Sequence, residues 1–82
     1  MMKLKTKFTN LAEEVLREEK EALTVNVIID KVAARALAKR LSNKMLKQVT
    51  GRTATHFFRQ DKRFVKTEQE EWRVSLWTLA EE

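Results

Sequence analysis

Apolar residues recur every three or four positions in two segments of the N-terminal half of the chain, which is the spacing of one face of an α-helix. The first segment contains Phe8, Leu11, Ala12, Val15 and Leu16. Thr9 or Asn10 is suited to cap this helix, and Glu13 and Glu14 follow in its first turn, where carboxylates are favourable. The pattern predicts a first helix from about Asn10 to Glu21.

The second segment predicts a helix that begins after Thr24, a residue suited to the N-cap position. Its apolar stripe consists of Ile28, Ile29, Val32, Ala33, Ala36, Leu37 and Leu41. Several residues here are β-branched, which lowers the helix propensity, but a period of about 3.6 residues favours a helix over a strand. The short link Glu21-Ala22-Leu23 is expected to turn the chain back on the first helix.

Residues 42–61 allow two interpretations. In the first, Ser42 or Asn43 caps a short helix that runs to position 49, Thr50-Gly51 ends it, and Thr53 caps another helix to about Gln60. In the second, one helix runs through Gly51, at a cost of about 1 kcal/mol for the internal glycine. The broken version is preferred, and both stay open at this level.

The periodicity changes near the C-terminus. Trp72, Val74 and Leu76 alternate with Arg73 and Ser75, which is the pattern of a half-buried strand. Residues 63–67 predict a partner strand, and the polar residues 68–71 predict the turn between the two. An order of helices followed by a hairpin, on a small basic chain, is typical of a winged helix-turn-helix. The expected fold is therefore α+β and mainly helical, with three to four helices followed by a C-terminal β-hairpin wing.

Charge is unevenly distributed along the chain. Residues 31–66 hold eleven basic residues against one acidic residue, Asp61, a net charge of +10, whereas the flanks hold six basic and eleven acidic residues. A cationic middle between acidic ends indicates a surface that binds a polyanion. Double-stranded DNA is the first partner to expect.

The composition limits the classes of protein that remain. The 82 residues suit a single domain over residues 1–82, with a basic N-terminal arm at 1–7 and a short acidic tail at 78–82. Cysteine and proline are absent and Gly51 is the only glycine, which excludes thiolate zinc sites and glycine-rich phosphate loops. His56 is the only histidine, without metal-binding or catalytic partners at a defined spacing. We expect no enzyme, no cofactor and no metal.

The expected location follows from the absence of two further signals. No apolar run approaches the roughly 18 residues of a membrane helix, and the start of the chain lacks the pattern of a secretory signal. We therefore expect the protein to have no membrane partner and to be cytoplasmic. It would be associated with the nucleoid if it is bacterial, and it would lie in the host cytoplasm if it is viral.

Four segments of the chain carry a family resemblance. They are Glu21-Ala22-Leu23-Thr24-Val25, Gly51-Arg52-Thr53-Ala54, Asp61-Lys62-Arg63-Phe64-Val65 and Trp72-Arg73-Val74-Ser75-Leu76-Trp77. From about Phe8 to Trp77 the chain resembles the HARE-HTH group of winged helices, which includes the N-terminal domain of the bacterial RNA polymerase delta subunit. The resemblance implies a three-helix core with a small β-wing and a role around DNA or transcription, by touching DNA or by docking on polymerase.

The residues predicted to contact DNA lie in and around the helix after Thr53. They are Lys39, Arg40, Lys44, Lys47, Arg52, Thr53, Thr55, His56, Arg59, Gln60, Lys62, Arg63 and Lys66. Arginine and glutamine on a helix in the major groove can read base edges, and the flanking cations can bind phosphates. We expect folding to gather these cations on one surface. Glu68, Glu70 and Glu71 at the expected wing tip would be repelled by phosphate.

Three functions remain open from the sequence. The first is a DNA-binding winged helix that acts as a small transcriptional regulator or DNA-associated accessory factor, with a homodimer or partner protein adding affinity. The second is a protein-interaction module that docks on RNA polymerase or another nucleoprotein complex through its acidic first helix and wing tip. The third is RNA or single-strand binding, with aromatic residues as stacking platforms.

Overall fold

Three α-helices precede an antiparallel hairpin, as the periodicity predicts. A computed structural model of the chain describes residues 3–40, 46–71 and 74–80. The elements in chain order are α1 (Leu4–Glu19), β1 (Leu23–Thr24), α2 (Val25–Ala38), a 3₁₀ turn (Leu46–Gln48), α3 (Gly51–Gln60), β2 (Phe64–Glu71) and β3 (Val74–Leu79). The strands form one sheet in the order β1-β3-β2, with antiparallel pairing throughout. This is the expected winged helix-turn-helix of α+β class.

Helix α1 begins six residues earlier than predicted. It begins at Leu4 after Lys3, so neither Thr9 nor Asn10 is the N-cap, and residues 4–7 of the expected arm are helical. Thr9 is buried inside the helix and its hydroxyl donates to the carbonyl of Lys5 at 2.9 Å. That bond satisfies a polar group that would otherwise favour a cap position. The helix ends at Glu19, and Lys20 follows in the left-handed region with φ 57°.

Helix α2 begins as predicted, because the Thr24 hydroxyl accepts a hydrogen bond from the backbone N–H of Val27 at 3.4 Å. Ile28, Val32 and Ala36 face the core. One expectation about this region was wrong. Leu37 is 70% exposed and does not extend the buried stripe. The expected link also contributes strand β1, in which Leu23 pairs with Trp77.

The segment between α2 and α3 is broken, as preferred, but the helix start differs from the prediction. Gly51 is the first residue of α3 and does not end a preceding helix. The N-cap is Thr50 rather than Thr53, since the Thr50 hydroxyl accepts from the backbone N–H of Thr53 at 3.2 Å. The continuous-helix alternative is wrong. The predicted caps Ser42 and Asn43 lie outside the described residues.

The wing also differs from the prediction in detail. Strand β2 extends to Glu71, so residues 68–71 belong to a strand and not to the turn. The register is irregular between Lys66 and Glu70. In β3 the buried residue is Trp77 and not Leu76, so the face predicted from the alternation was the wrong one. Trp72 and Arg73 lie outside the described residues.

The core forms where the helices meet the sheet. Phe58 of α3 is fully buried, and its ring lies 5.7 Å from that of Phe8, 4.6 Å from that of Phe64 and 5.4 Å from that of Trp77. Aromatic pairs at these distances add to the stability that their buried area provides. These rings therefore serve packing, and α3 is held with one face against the core and the other toward solvent. No helix within the described residues combines the length and apolarity needed to cross a membrane.

Candidate nucleic-acid interface

The outward side of α3 is polar and cationic. Ala54 and Phe58 are spaced by four residues and point into the core, so the opposite side of the helix faces solvent. That side forms a shallow depression of about 370 Å³ lined by Gly51, Arg52, Thr55, His56 and Arg59. We call these five residues the α3 face. Arg52, His56 and Arg59 are exposed and follow one another at helical spacing.

A second depression adjoins the α3 face. It occupies about 260 Å³ between the start of α2, the start of α3 and the sheet, and we call it the wing groove. Its lining consists of Val25, Asn26, Gly51, Thr55, Arg59, Lys66, Ser75 and Trp77. Because Gly51, Thr55 and Arg59 belong to both linings, the two depressions form one continuous surface. Among the described residues neither lining contains a carboxylate, so none of the side chains that the structure describes there repels an anion.

The threonines at the start of α3 are engaged in the helix itself. Thr53 lies in its first turn, with its hydroxyl 3.1 Å from that of Thr50. The Thr55 hydroxyl donates to the carbonyl of Gly51 at 2.8 Å. The first backbone N–H groups of any α-helix lack partners within the helix and bind anions well. Thr53 thus supports the helix start and does not cap it as predicted.

Several predicted or neighbouring cations lie on a different surface, between α1 and α2. The Lys39 ammonium lies 2.5 Å from a carboxylate oxygen of Glu14, and the Lys31 ammonium lies 2.6 Å from one of Glu19. Arg35 pairs with Glu18, whose pKa is lowered chiefly by the hydrogen bond from that guanidinium. We call these pairs the ion-pair surface. The expectation that folding gathers all the central cations on one surface was therefore wrong, because α2 packs beside the acidic helix α1.

Arg63, also predicted to bind DNA, is half-buried and bonded to groups of the domain itself. Its guanidinium donates to Asp61 at 2.7 Å, to the Thr9 hydroxyl at 2.9 Å and to the Asn10 side-chain oxygen at 2.9 Å. It also lies 5.5 Å above the ring of Phe64, within the range of a cation–π contact. Hydrogen bonds from Arg63 hold the pKa of Asp61 below its ordinary value, and the same bonds raise the pKa of Arg63. Arg63 therefore ties the start of the wing to α1.

The remaining predicted residues lie apart from both depressions. Arg40 is exposed just after α2 with φ 59°, and Lys47 is exposed on the 3₁₀ turn. Gln60 is exposed at the end of α3 and accepts a hydrogen bond from the Lys5 ammonium at 3.2 Å, and Lys62 is exposed in the turn before β2. Lys44 lies outside the described residues. Of the predicted set, the shared surface contains Arg52, Thr55, His56, Arg59 and Lys66.

Sequence reasoning missed five residues of the wing groove, which are Val25, Asn26, Gly51, Ser75 and Trp77. Asn26 was given no role, and the other four were considered for their places in a helix, a helix break or a strand and not as contacts to duplex DNA. One signal was present in the sequence, because Ser75 and Trp77 are two positions apart in a predicted strand and therefore lie on the same face of it. Which of the two faces of β3 packs against the helices depends on the pairing of β3 with β1 and β2. Within the described residues no group of three or more acidic or histidine side chains is placed to hold a metal ion.

Comparison with known proteins adds one finding to this geometry. A family model described as HARE-HTH, a helix-turn-helix domain named for ASXL and restriction endonuclease proteins among others, matches residues 7–77. The match therefore includes all three helices except the first residues of α1, and it ends within β3. Neither the curated proteins nor the solved structures provide a match to the chain.

Proposed function

The chain belongs to the HARE-HTH family, and from that membership we propose that it binds double-stranded DNA through the α3 face and the wing groove. The family domain is a winged-helix domain of DNA-binding type. We further propose that the protein acts as a small transcriptional regulator or DNA-associated accessory factor. The matched domain is a helix-turn-helix and not a catalytic domain, which supports binding without catalysis.

The observation that carries this proposal is the composition of the outward side of α3. Arg52, His56 and Arg59 are exposed along one side of a helix that is fixed to the core by Phe58. A helix presented in this way fits the major groove, where arginine pairs with guanine and can also bind phosphate. The adjoining Lys66 extends the cationic surface onto the wing. A duplex lying across α3 would thus meet cations from two elements.

The proposal is tested with the double variant Arg52→Gln/Arg59→Gln. We expect its affinity for a short random-sequence duplex to fall at least about tenfold, because each arginine contact contributes about 1–3 kcal/mol. The slope of log affinity against log salt should also decrease by about 2 if both arginines neutralise phosphates. Fluorescence anisotropy of labelled duplex over a series of salt concentrations measures both quantities.

The matched control is Arg17→Gln, which removes the same kind of charge from the outside of α1. Arg17 is 62% exposed and lies 3.8 Å from Glu13, so its ion pair contributes little to stability. The control should bind duplex like the wild-type chain. Unchanged affinity of the double variant would refute the proposal, and tighter binding of a single strand than of duplex would favour the RNA or single-strand alternative.

The alternative of a protein-docking module is not favoured by the charges on α1. Glu14, Glu18 and Glu19 belong to the ion-pair surface and are neutralised by cations of α2. A basic partner protein would have to compete with these pairs. Dimerisation remains a prediction. The reason for it is that a single domain of this size contacts few bases.

A further inference from the structure

Trp77 presents a polar group that packing alone does not explain. The residue is 4% exposed, and its indole Nε1 has no hydrogen-bond partner among the described residues. Buried N–H groups in folded proteins are nearly always paired, so an unpaired one calls for an explanation. Trp77 also lines the wing groove. The missing acceptor can therefore come from a ligand that enters the groove.

The other groups of the wing groove select the ligand's charge. Arg59 provides a guanidinium, Lys66 an ammonium and Ser75 a hydroxyl, and Lys66 is the register partner of Trp77 in the hairpin. Helices α2 and α3 both begin at the groove, at Val25 and Gly51. Helix starts favour anions, and the lining as described contains no carboxylate. The suitable ligand is an anion with several acceptor oxygens.

We propose that the wing groove holds one phosphate of the DNA backbone and that the Trp77 indole N–H donates to one of its oxygens. This inference rests on the duplex binding proposed above and specifies one contact within it. Arg59 and Lys66 supply the charge, and the buried indole nitrogen becomes accessible to the phosphate on binding. Trp77 is a positioning residue, because a contact to one phosphate sets the register of the helix on the duplex.

The test combines Trp77→Phe with a set of duplexes in which single phosphates are replaced by neutral methylphosphonates. For the wild-type chain one replacement should weaken binding about tenfold, as expected for a lost hydrogen bond to a charged group. Trp77→Phe keeps an aromatic ring in the core but lacks the indole N–H. It should bind the unmodified duplex several-fold more weakly and should be less sensitive to that one replacement than the wild-type chain, because Arg59 and Lys66 still contact that phosphate, while other positions keep their effects.

A second variant and a second readout keep the test decisive should Trp77→Phe not fold, as judged by circular dichroism. Lys66→Gln changes an exposed side chain and should reduce sensitivity to the same methylphosphonate. In both wild type and Lys66→Gln, the indole N–H resonance of Trp77 reports on the bond directly. It should shift on addition of the unmodified duplex, and by less with the duplex that lacks the critical phosphate charge. Arg17→Gln is the control and should retain the full wild-type profile.

The outcomes separate this inference from the proposed function. Duplex binding with a Trp77 indole resonance that does not move, or with the same methylphosphonate profile in Trp77→Phe as in wild type, overturns the phosphate contact and leaves the duplex proposal intact. Absence of duplex binding by the wild-type chain overturns both. Reduced sensitivity at one position in the variants, with the indole shift in the wild type, supports both.

Discussion

Arg59 and Arg63 show how the neighbours of a residue decide what the same side chain does. Arg59 is exposed and lines both depressions beside α3. Arg63, four positions later, donates to Asp61, Thr9 and Asn10 and links the wing to α1. Hydrogen bonds to charged groups contribute more to stability than those between neutral groups. We therefore expect Arg63 to contribute to stability, whereas Arg59 belongs to the proposed binding surface.

The Asp61 carboxylate gives this assignment a pH dependence. Its pKa is lowered in the folded chain, chiefly by the hydrogen bond from Arg63, from an ordinary value of 3.8. The stabilisation is therefore present above about pH 4 and is lost as the pH falls through the folded pKa. We expect Asp61→Asn to lower the free energy of unfolding by about 1 kcal/mol at neutral pH. The difference from wild type should shrink toward pH 2, as measured by urea unfolding at several pH values, and a constant difference would contradict this role.

At the scale of elements, the start of α3 decides which side chains reach the α3 face. With Thr50 as the N-cap, Arg52 lies within the first turn and on the same side as His56 and Arg59. A helix beginning after Thr53 would have left Arg52 outside. The buried pair Ala54 and Phe58 then holds this side of the helix toward solvent. One hydrogen bond at the helix start thus affects the composition of the proposed interface.

Two threonine variants test this helix start. Thr50→Ala removes the cap and should lower the free energy of unfolding by about 1 kcal/mol. Thr53→Ala keeps its backbone N–H, which is the donor to the cap, and should lower it by only a few tenths of a kcal/mol. Urea unfolding of the two variants beside the wild type makes the comparison. A larger effect for Thr53→Ala than for Thr50→Ala would indicate that Thr53 is the N-cap, as predicted from the sequence.

At the scale of the whole molecule, the basic charge is divided between two surfaces. On the ion-pair surface Lys31, Arg35 and Lys39 are matched by carboxylates of α1. On the α3 face and wing groove the described cations have no carboxylate in the same lining. Exposed charges separated by more than about 10 Å are largely screened at moderate salt, so local composition matters more than net charge. The overall charge of +5 therefore understates the contrast between the two surfaces.

This division predicts unequal effects from equal changes in net charge. Lys31→Gln/Lys39→Gln removes two positive charges from the ion-pair surface and should change duplex affinity by no more than about twofold at moderate salt, owing to screening. Arg52→Gln/Arg59→Gln removes the same charge and should cost at least about tenfold. Anisotropy titrations at one salt concentration compare the pair. Equal losses would mean that net charge, rather than the α3 face, governs binding.

The features that sequence reasoning predicted correctly are mostly those with a local cause. The Thr24 cap and the buried positions of α1 and α2 follow from side-chain chemistry and helical spacing along a short stretch. The order of helices and hairpin, and the family resemblance, follow from the same local patterns. Within the site, Arg52, His56 and Arg59 were predictable because they share one short helix.

The features that were missed depend on which elements become neighbours. Lys39 and Arg63 carry the same charge as Arg59, but Lys39 pairs with Glu14 of α1, and Arg63 bonds to Thr9 of α1 as well as to its neighbour Asp61. The sequence around Lys39 and Arg63 gives no sign of the contacts with α1. In the sequence Thr9 is suited to an N-cap. In the structure its hydroxyl lies within the helix, where it accepts a hydrogen bond from Arg63 and donates one to the carbonyl of Lys5. The inward face of β3 is likewise decided by its two neighbouring strands. Composition and periodicity thus determined the elements and an excess of cations, whereas tertiary packing decided which cations pair with the carboxylates of α1 and which line the surface beside α3.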